Sequence, residues 1–305
     1  MTEAQHRTRS GILLGLGAYT MWGFLPAYFK LLTQVGPFEL VAHRILWSLI
    51  FLAGLLTVWK KWAMLGAAIR TPRVVAILAA TAGLIGINWL VYIWAVVNGH
   101  VLEGSLGYYL NPLVNILLGV VLLKERLTRP QTIAVGLAGI GVAILALGAG
   151  SGLWISLTLA FSFALYGFLR KVAPVEAVEG LSIETLILTP LAFAWVMILE
   201  SRGTSGLGMG TGTVLLLILS GAVTAIPLLL FTAAAKRLPY STLGFLQYIA
   251  PSIQFLLAVL VYGEHLTPSH MLCFGLIWAA LVIFAADGIR IGRRAKAREE
   301  AAAGL

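Results

Sequence analysis

Residues 109–128 read YLNPLVNILLGVVLLKERLT, and residues 248–267 read YIAPSIQFLLAVLVYGEHLT. A single shift of 139 positions aligns them without a gap. Tyr109 then falls on Tyr248, Pro112 on Pro251, Leu117-Leu118 on Leu256-Leu257, Val120 on Val259, Glu125 on Glu264, and Leu127-Thr128 on Leu266-Thr267. Apolar matches come easily by chance in a chain that is 60% hydrophobic. A shared proline, a shared glutamate and a shared Leu-Thr pair do not. The chain carries an internal repeat, and the number of helices per copy decides the architecture. WGFL at 22–25 and YGFL at 166–169 mark the two beginnings more loosely.

A helix needs about 20 apolar residues to cross the hydrocarbon core of a bilayer. Ten segments meet that requirement, at about 11–32, 38–59, 74–97, 101–123, 130–148, 151–169, 180–199, 213–234, 239–262 and 269–288. Their connections are short and leave no room for a soluble domain. The first segment follows MTEAQHRTRS without a convincing cleavage site and is expected to be retained as a helix. Cys273 is the single cysteine, so no internal disulfide framework is expected.

Charge supplies orientation. Among the 21 lysines and arginines, all but Lys30, Arg44 and Arg202 fall in clusters on the side that holds the N-terminus. Positive residues are retained on the cytoplasmic face, so both termini are expected there after ten crossings. The clusters are short and separated by apolar runs. They form no basic stripe interleaved with exposed aromatics, which argues against nucleic acid as a partner and for a lipid bilayer.

Five helices per copy is an odd number, so the second copy must lie upside down relative to the first. The expected fold is an all-α integral membrane protein with ten transmembrane helices in two inverted five-helix repeats. The repeats are assigned to residues 1–148 and 149–290, followed by a basic tail at 291–305. The charges agree with inversion: Glu125 sits among Lys124, Arg126 and Arg129, whereas Glu264 lacks those neighbours. Inverted repeats that exchange conformations around a midplane site are a common plan of secondary transporters.

Proline at matching places in two halves points to the binding region, because it removes a backbone donor and bends the helix. Pro112 and Pro251 lie near the centres of the fourth and ninth segments, and Pro227 stands opposite Asn88 in the repeat. Tyr108, Pro112 and Asn115 share one helix face, matched by Gln247, Pro251 and Gln254. These uncharged groups either line a site for a polar or amphipathic organic molecule or bond helix to helix. Asn88, Trp89 and Tyr92 extend the candidate lining, with aromatic faces suited to a planar ligand or to bundle packing. Glycines in the first helix (Gly11, Gly15, Gly17, Gly23) and the fifth (Gly136, Gly139, Gly141) are expected at close-packed surfaces.

Ionisable residues inside the membrane are costly and mark function by default. Arg44 enters from the outer face near His43 and Glu39. Glu103 enters the fourth segment from the same face, within reach of a pair with Arg44. Glu184 enters the seventh segment from the inner face, near the position that mirrors Arg44. The three are candidates for binding substrate or carrying protons; the competing reading is snorkelling or a structural pair. His43 and His100 titrate near neutrality in an ordinary setting. Glu125 and Glu264 are the architectural marks of the repeat, at the membrane surfaces.

Several chemistries lack their motifs. There is no phosphate-binding G-x-x-x-x-G-K-[ST], no H-E-x-x-H and no G-x-S-x-G, and the histidines are scattered. No metal, cofactor or enzymatic activity is expected. An intramembrane or lipid-modifying enzyme built on Glu103, His43 and Arg44, and a non-transporting scaffold, are the alternatives to a transporter. Inversion counts against the first and mirrored mid-membrane polar residues against the second.

The whole chain resembles the drug/metabolite transporter superfamily with two EamA-type repeats, most closely its RarD-like branch. The resemblance rests on MWGFLPAYFKLL (21–32), ELVAHRILWS (39–48), NWLVYIWAVVNGHVLEGSLGYYLNPL (88–113), LYGFLRK (165–171) and LQYIAPSIQFLLAVLVYGEHLT (246–267). It implies a bacterial inner-membrane permease with both termini cytoplasmic. RarD-like proteins are commonly labelled chloramphenicol-sensitive. The first copy has Lys-Glu at 124–125 where many such repeats have Gly-Glu. The expected activity is secondary transport, in the export direction, of a small organic metabolite or drug-like compound, with a proton as the candidate coupling ion.

Overall fold

The computed structural model describes residues 3–98, 100–147, 152–261, 263 and 268–302, with residues 4, 96, 97, 101, 102 and 292–302 by backbone alone. Among the described residues every regular element is helical. In chain order the helices are α1 (Glu3–Phe29), α2 (Pro37–Val58), α3 (Trp62–Ile69), α4 (Pro72–Val97), α5 (Val101–Val121), α6 (Arg129–Ala146), α7 (Leu153–Val172), α8 (Ala177–Ser201), α9 (Thr211–Ala235), α10 (Tyr240–Gln247), α11 (Ile249–Leu260) and α12 (Pro268–Ala302). Ten spans long and apolar enough to cross a membrane result, with α10 and α11 sharing one. Large apolar side chains such as Leu13, Ile50, Leu191 and Val282 point outward, as a lipid-facing surface requires.

The short helix α3 was not expected. It fills the loop after α2, where Lys60 takes a left-handed φ of 54°. Trp62 donates its indole N–H to Thr57 Oγ1 at 3.0 Å, and Trp59, Trp62 and Met64 stay exposed. Amphipathic aromatic residues at a span's end suit the membrane–water boundary.

The packing map is an independent reading of the repeat. Helix α1 packs on α9 and α11, while its counterpart α7 packs on α4 and α5. Helix α2 packs on its own counterpart α8, and α6 on its own counterpart α12. These contacts of one half are thus repeated with the halves exchanged, and the most extensive interfaces run between halves.

Backbone geometry marks the repeat as well. Lys124 has φ 55°, and Gly263, its partner in the 139-residue shift, has φ 65°. Both copies therefore need a left-handed residue after the helix. Glycine adopts it freely, whereas a residue with a Cβ pays about 1 kcal/mol or more. The Lys-Glu variant at 124–125 keeps the turn at that cost. Thr128 then starts α6 with a capping box, accepting from Gln131 N at 3.3 Å while its own N donates to Gln131 Oε1 at 3.1 Å. Its hydroxyl also reaches Asp287 Oδ2 on α12 at 2.6 Å. Glu264, Leu266 and Thr267 lie outside the described residues.

Pro112 and Pro227 lie inside continuous helices, α5 and α9. Only Pro251 coincides with a break. Its missing N–H leaves the Gln247 carbonyl without a helical donor, and Tyr248 N turns instead to Phe245 O at 3.3 Å, a tighter i to i+3 bond. Gly136 and Gly139 also depart from expectation: a Cβ there would meet nothing within 4 Å, so neither sits at a helix crossing.

Candidate functional site

Two arginines and a carboxylate organise the middle of the molecule. Arg44 lies seven residues into α2, about 10 Å along its axis. Its Nε donates to Thr224 Oγ1 on α9 at 2.8 Å. The guanidinium lies 5.0 Å from the Trp89 ring and 5.3 Å from the Phe29 ring, distances that suit cation–π attraction. The phenols of Tyr28, Tyr92 and Tyr108 are within electrostatic reach. The Tyr92 and Tyr108 rings pack edge to face at 5.5 Å. Tyr28 donates its hydroxyl to the Leu216 carbonyl.

The Arg44–Glu103 pair that depth allowed is not formed among the described residues. Glu103 lies instead beside His100, with Nδ1 to Oε1 at 3.5 Å. Its side chain is also held against Gly152, where any Cβ would collide with it, and its carbonyl accepts from Ser156 Oγ at 2.6 Å. The α5–α7 interface therefore fixes Glu103 away from α2. His43 faces Glu39 within the same helix, Nε2 to Oε1 at 3.6 Å, while Glu39 also accepts from Gly206 N at 2.6 Å and Ser205 Oγ at 3.2 Å. That carboxylate closes the loop before α9.

Glu184 stands at the other end of the centre. Its Oε1 accepts from Thr81 Oγ1 at 2.5 Å and lies 3.5 Å from Arg170 Nε; its Oε2 accepts from Tyr166 at 3.4 Å. Arg170 is fully buried at the end of α7 and donates to Ala177 O at 3.0 Å. Its guanidinium fills the space over Gly180, which any Cβ would block. Sequence reasoning placed Arg170 with the surface clusters because Arg170-Lys171 ends a span. The signal that separates it was Glu184 in the next helix, a buried charge needing a partner.

Between these groups lies a small cavity, walled by Ser48, Trp89, Tyr166, Glu184, Thr185 and Thr224 among others. The space open to a water-sized solute is about 20 Å³, room for a water and too little for an organic molecule. Both halves contribute walls. An open cleft of about 290 Å³ runs beside Tyr28, Phe24 and Val223 between α1 and α9.

The amides form a separate layer. Asn115 donates to Gln247 Oε1 at 2.5 Å, Gln247 donates to Asn111 Oδ1 at 2.5 Å, and Asn111 donates to Ala160 O at 2.7 Å. This ties α5 to α10 and α7 just before the break at Tyr248. Asn111 was missed, although its i, i+4 spacing to Asn115 was visible. Gln254 donates to Trp22 O at 3.0 Å, and Asn88 donates to Leu159 O and Ser162 Oγ, both at 2.9 Å.

On the face holding the N-terminus, crossed lysines tie α7 to α9. Lys171 donates to Ala235 O at 2.7 Å and Leu238 O at 2.5 Å, while Lys236 donates to Ala173 O at 3.0 Å. Each caps the other's helix. Partial burial lowers the Lys236 pKa from its usual value, against the opposing pull of Glu176. Lys61 Nζ lies 3.1 Å from buried Glu179. Glu125 contributes a bond pattern that its place at the end of a span did not reveal. It receives Tyr240 N at 2.5 Å, Ser241 N at 2.8 Å and Ser241 Oγ at 2.6 Å, holding the N-terminus of α10.

A model of the EamA-like transporter family matches residues 9–147 and again residues 150–286. The chain is 49% identical to protein RarD of Escherichia coli, over 94% of this chain and 98% of that one. It is 47% identical to an uncharacterized transporter of Vibrio cholerae, over 97% and 98%. It is 34% identical to the chloramphenicol-sensitive protein RarD of Pseudomonas aeruginosa, over 93% and 96%. A crystal structure only 21% identical shares the fold with a TM-score of 0.70, over 90% of this chain and 96% of that one.

Proposed function

The chain belongs to the EamA-like transporter family, and from that premise we propose that it is a secondary transporter exporting a small organic metabolite or drug-like compound across the bacterial inner membrane. The small cavity walled by both halves carries this reading. Its walls come from α2, α4, α7, α8 and α9, so a change in how the halves meet opens or closes it. The crossed lysines and the Lys61–Glu179 and Arg170–Glu184 pairs support a conformation closed on the face of the N-terminus. The distribution of basic residues supports reading that face as cytoplasmic. Alternating access then consists in breaking those contacts while the mirrored set on the far face forms.

Arg44, Trp89, Tyr92 and Tyr108 belong to the substrate path in this reading, and Glu184 carries the coupling proton. Asn88, Asn115, Gln247 and Gln254 brace the moving helices. Pro112 and Pro251 permit bending of the fourth and ninth spans, which rock against the interlocked repeats 1–148 and 149–290, ahead of the tail at 291–305.

The test is counterflow by purified protein in sealed vesicles, over metabolites and antibiotics with chloramphenicol among them. Exchange of an unmodified solute is the expected result, and an imposed pH gradient should change its rate. A solute recovered chemically altered, or no exchange for any compound that stabilises the protein, refutes transport. Flux indifferent to pH refutes the proton.

A further inference from the structure

We propose that Arg44 is the recognition site for an anionic group, a carboxylate or phosphate, on a solute with an apolar or aromatic body. The proposal rests on the transport reading above and adds the charge class of the substrate. Arg44 is half-buried in a membrane-spanning helix. Among the described residues no carboxylate lies within 4 Å of it, in contrast to Arg170, which has Glu184 at 3.5 Å. A cation in that setting is expensive unless something compensates it.

What surrounds it is an array of donors and rings. Thr224 occupies Nε, leaving the paired Nη groups available for a bidentate contact with an oxyanion. Neither Tyr92 nor Tyr108 donates its hydroxyl in a hydrogen bond among the described residues, and both phenols lie within electrostatic reach of the guanidinium. Trp89 and Phe29 flank the charge, and Trp89 also walls the central cavity. A ligand's anionic end held by Arg44 thus sets its apolar body against aromatic faces on the path to Glu184. Arginine serves this geometry better than lysine because its planar fork matches an oxyanion and stacks on rings.

A headgroup phosphate offers the same oxyanion as a solute, so the test separates the two sources. Thermal unfolding of the purified full chain in detergent is measured with benzoate, indole-3-acetate and phenyl phosphate, with the neutral amides of the two carboxylates, and with phosphatidylglycerol. The expected result is dose-dependent stabilisation by one or more anionic solutes and none by the matching amide. Arg44→Gln should abolish it or shift its midpoint by about tenfold or more, as for loss of a charge-assisted hydrogen bond. Arg44→Lys, which keeps the charge, should retain part of the effect and serves as the control for folding. Tyr108→Phe should weaken it by a smaller factor.

Equal stabilisation by acid and amide, or full stabilisation of Arg44→Gln, overturns the proposal. So does the absence of any Arg44-dependent effect across the anions. Arg44-dependent stabilisation by phosphatidylglycerol alone assigns the site to lipid and overturns the solute reading. Counterflow of a neutral solute by wild type and Arg44→Gln alike would sink the anion site and leave transport standing; no counterflow of any stabilising solute would sink transport itself.

Discussion

Replacing Gly221 with alanine drives a wedge into the interface between α2 and α9. A Cβ at that position would meet the carbonyl carbon and oxygen of Trp47, and Ser48 N at 2.6 Å, against ordinary contacts of 3.4–4 Å. All three are backbone atoms of α2, so no side chain can swing aside. Restoring contact moves the helices apart by roughly 1 Å, the kind of overpacking that costs about 1–3 kcal/mol. The same movement stretches the bond from Ser48 Oγ to Gly221 O, now 3.0 Å, beyond hydrogen-bonding range. Loss of that buried bond adds about 1 kcal/mol, and the better helix propensity of alanine returns about 1 kcal/mol. A net loss of about 1–3 kcal/mol is expected, several degrees of melting temperature in detergent. The internal control is Gly136→Ala, where a Cβ meets nothing within 4 Å and should leave stability equal or slightly raised. Gly221→Ala melting at or above the wild type, or no lower than Gly136→Ala, would refute the close-approach argument. Thr224 is the next turn of α9, so the wedge should also weaken any ligand effect that depends on Arg44.

Three further outcomes are expected. Lys124→Gly should raise the melting temperature, by about 0.5–1 kcal/mol, because glycine takes the φ of 55° without strain; a lower melting temperature would deny that strain. Glu125→Ala should destabilise by about 1–3 kcal/mol by stranding the amides that start α10, and Glu125→Gln should lose less because it still accepts hydrogen bonds; equal losses would deny the capping role. Arg170→Met and Glu184→Leu should each destabilise strongly, by about 3–5 kcal/mol for the arginine, whereas the two combined should cost less than the two losses added; strict additivity, measured by thermal unfolding of the double cycle, would deny the pair.

The ten spans and their inversion were legible because they depend on composition and periodicity alone. Twenty apolar residues in a row, or a proline and a glutamate repeated at one shift, need no knowledge of what touches what. The site was legible only as a set of residue types. Arg44, Trp89 and Tyr108 come together because α2, α4 and α5 converge, which no local pattern encodes. Glu103 shows the same limit from the other side: its depth allowed a pair with Arg44, but the α5–α7 contact turned it to His100 and Gly152. Arg170 misled because a basic pair at a span's end ordinarily anchors that end in water. Only the position of Glu184, one helix on, makes burial of the arginine affordable. Helix α3 was too short for hydropathy to distinguish from a loop.

The exchange of contacts between halves bears on how the molecule is made. Helix α1 finds its main partners in α9 and α11, and α2 in α8 and α9, all encoded after residue 176. During synthesis the first five spans enter the bilayer before those partners exist. There they have only the smaller contacts among themselves, with Arg44 lacking Thr224 and Glu125 lacking the end of α10. Assembly is therefore a late event, triggered by arrival of the second half rather than built up domain by domain. A chain halted midway lacks the partners that make its largest interfaces.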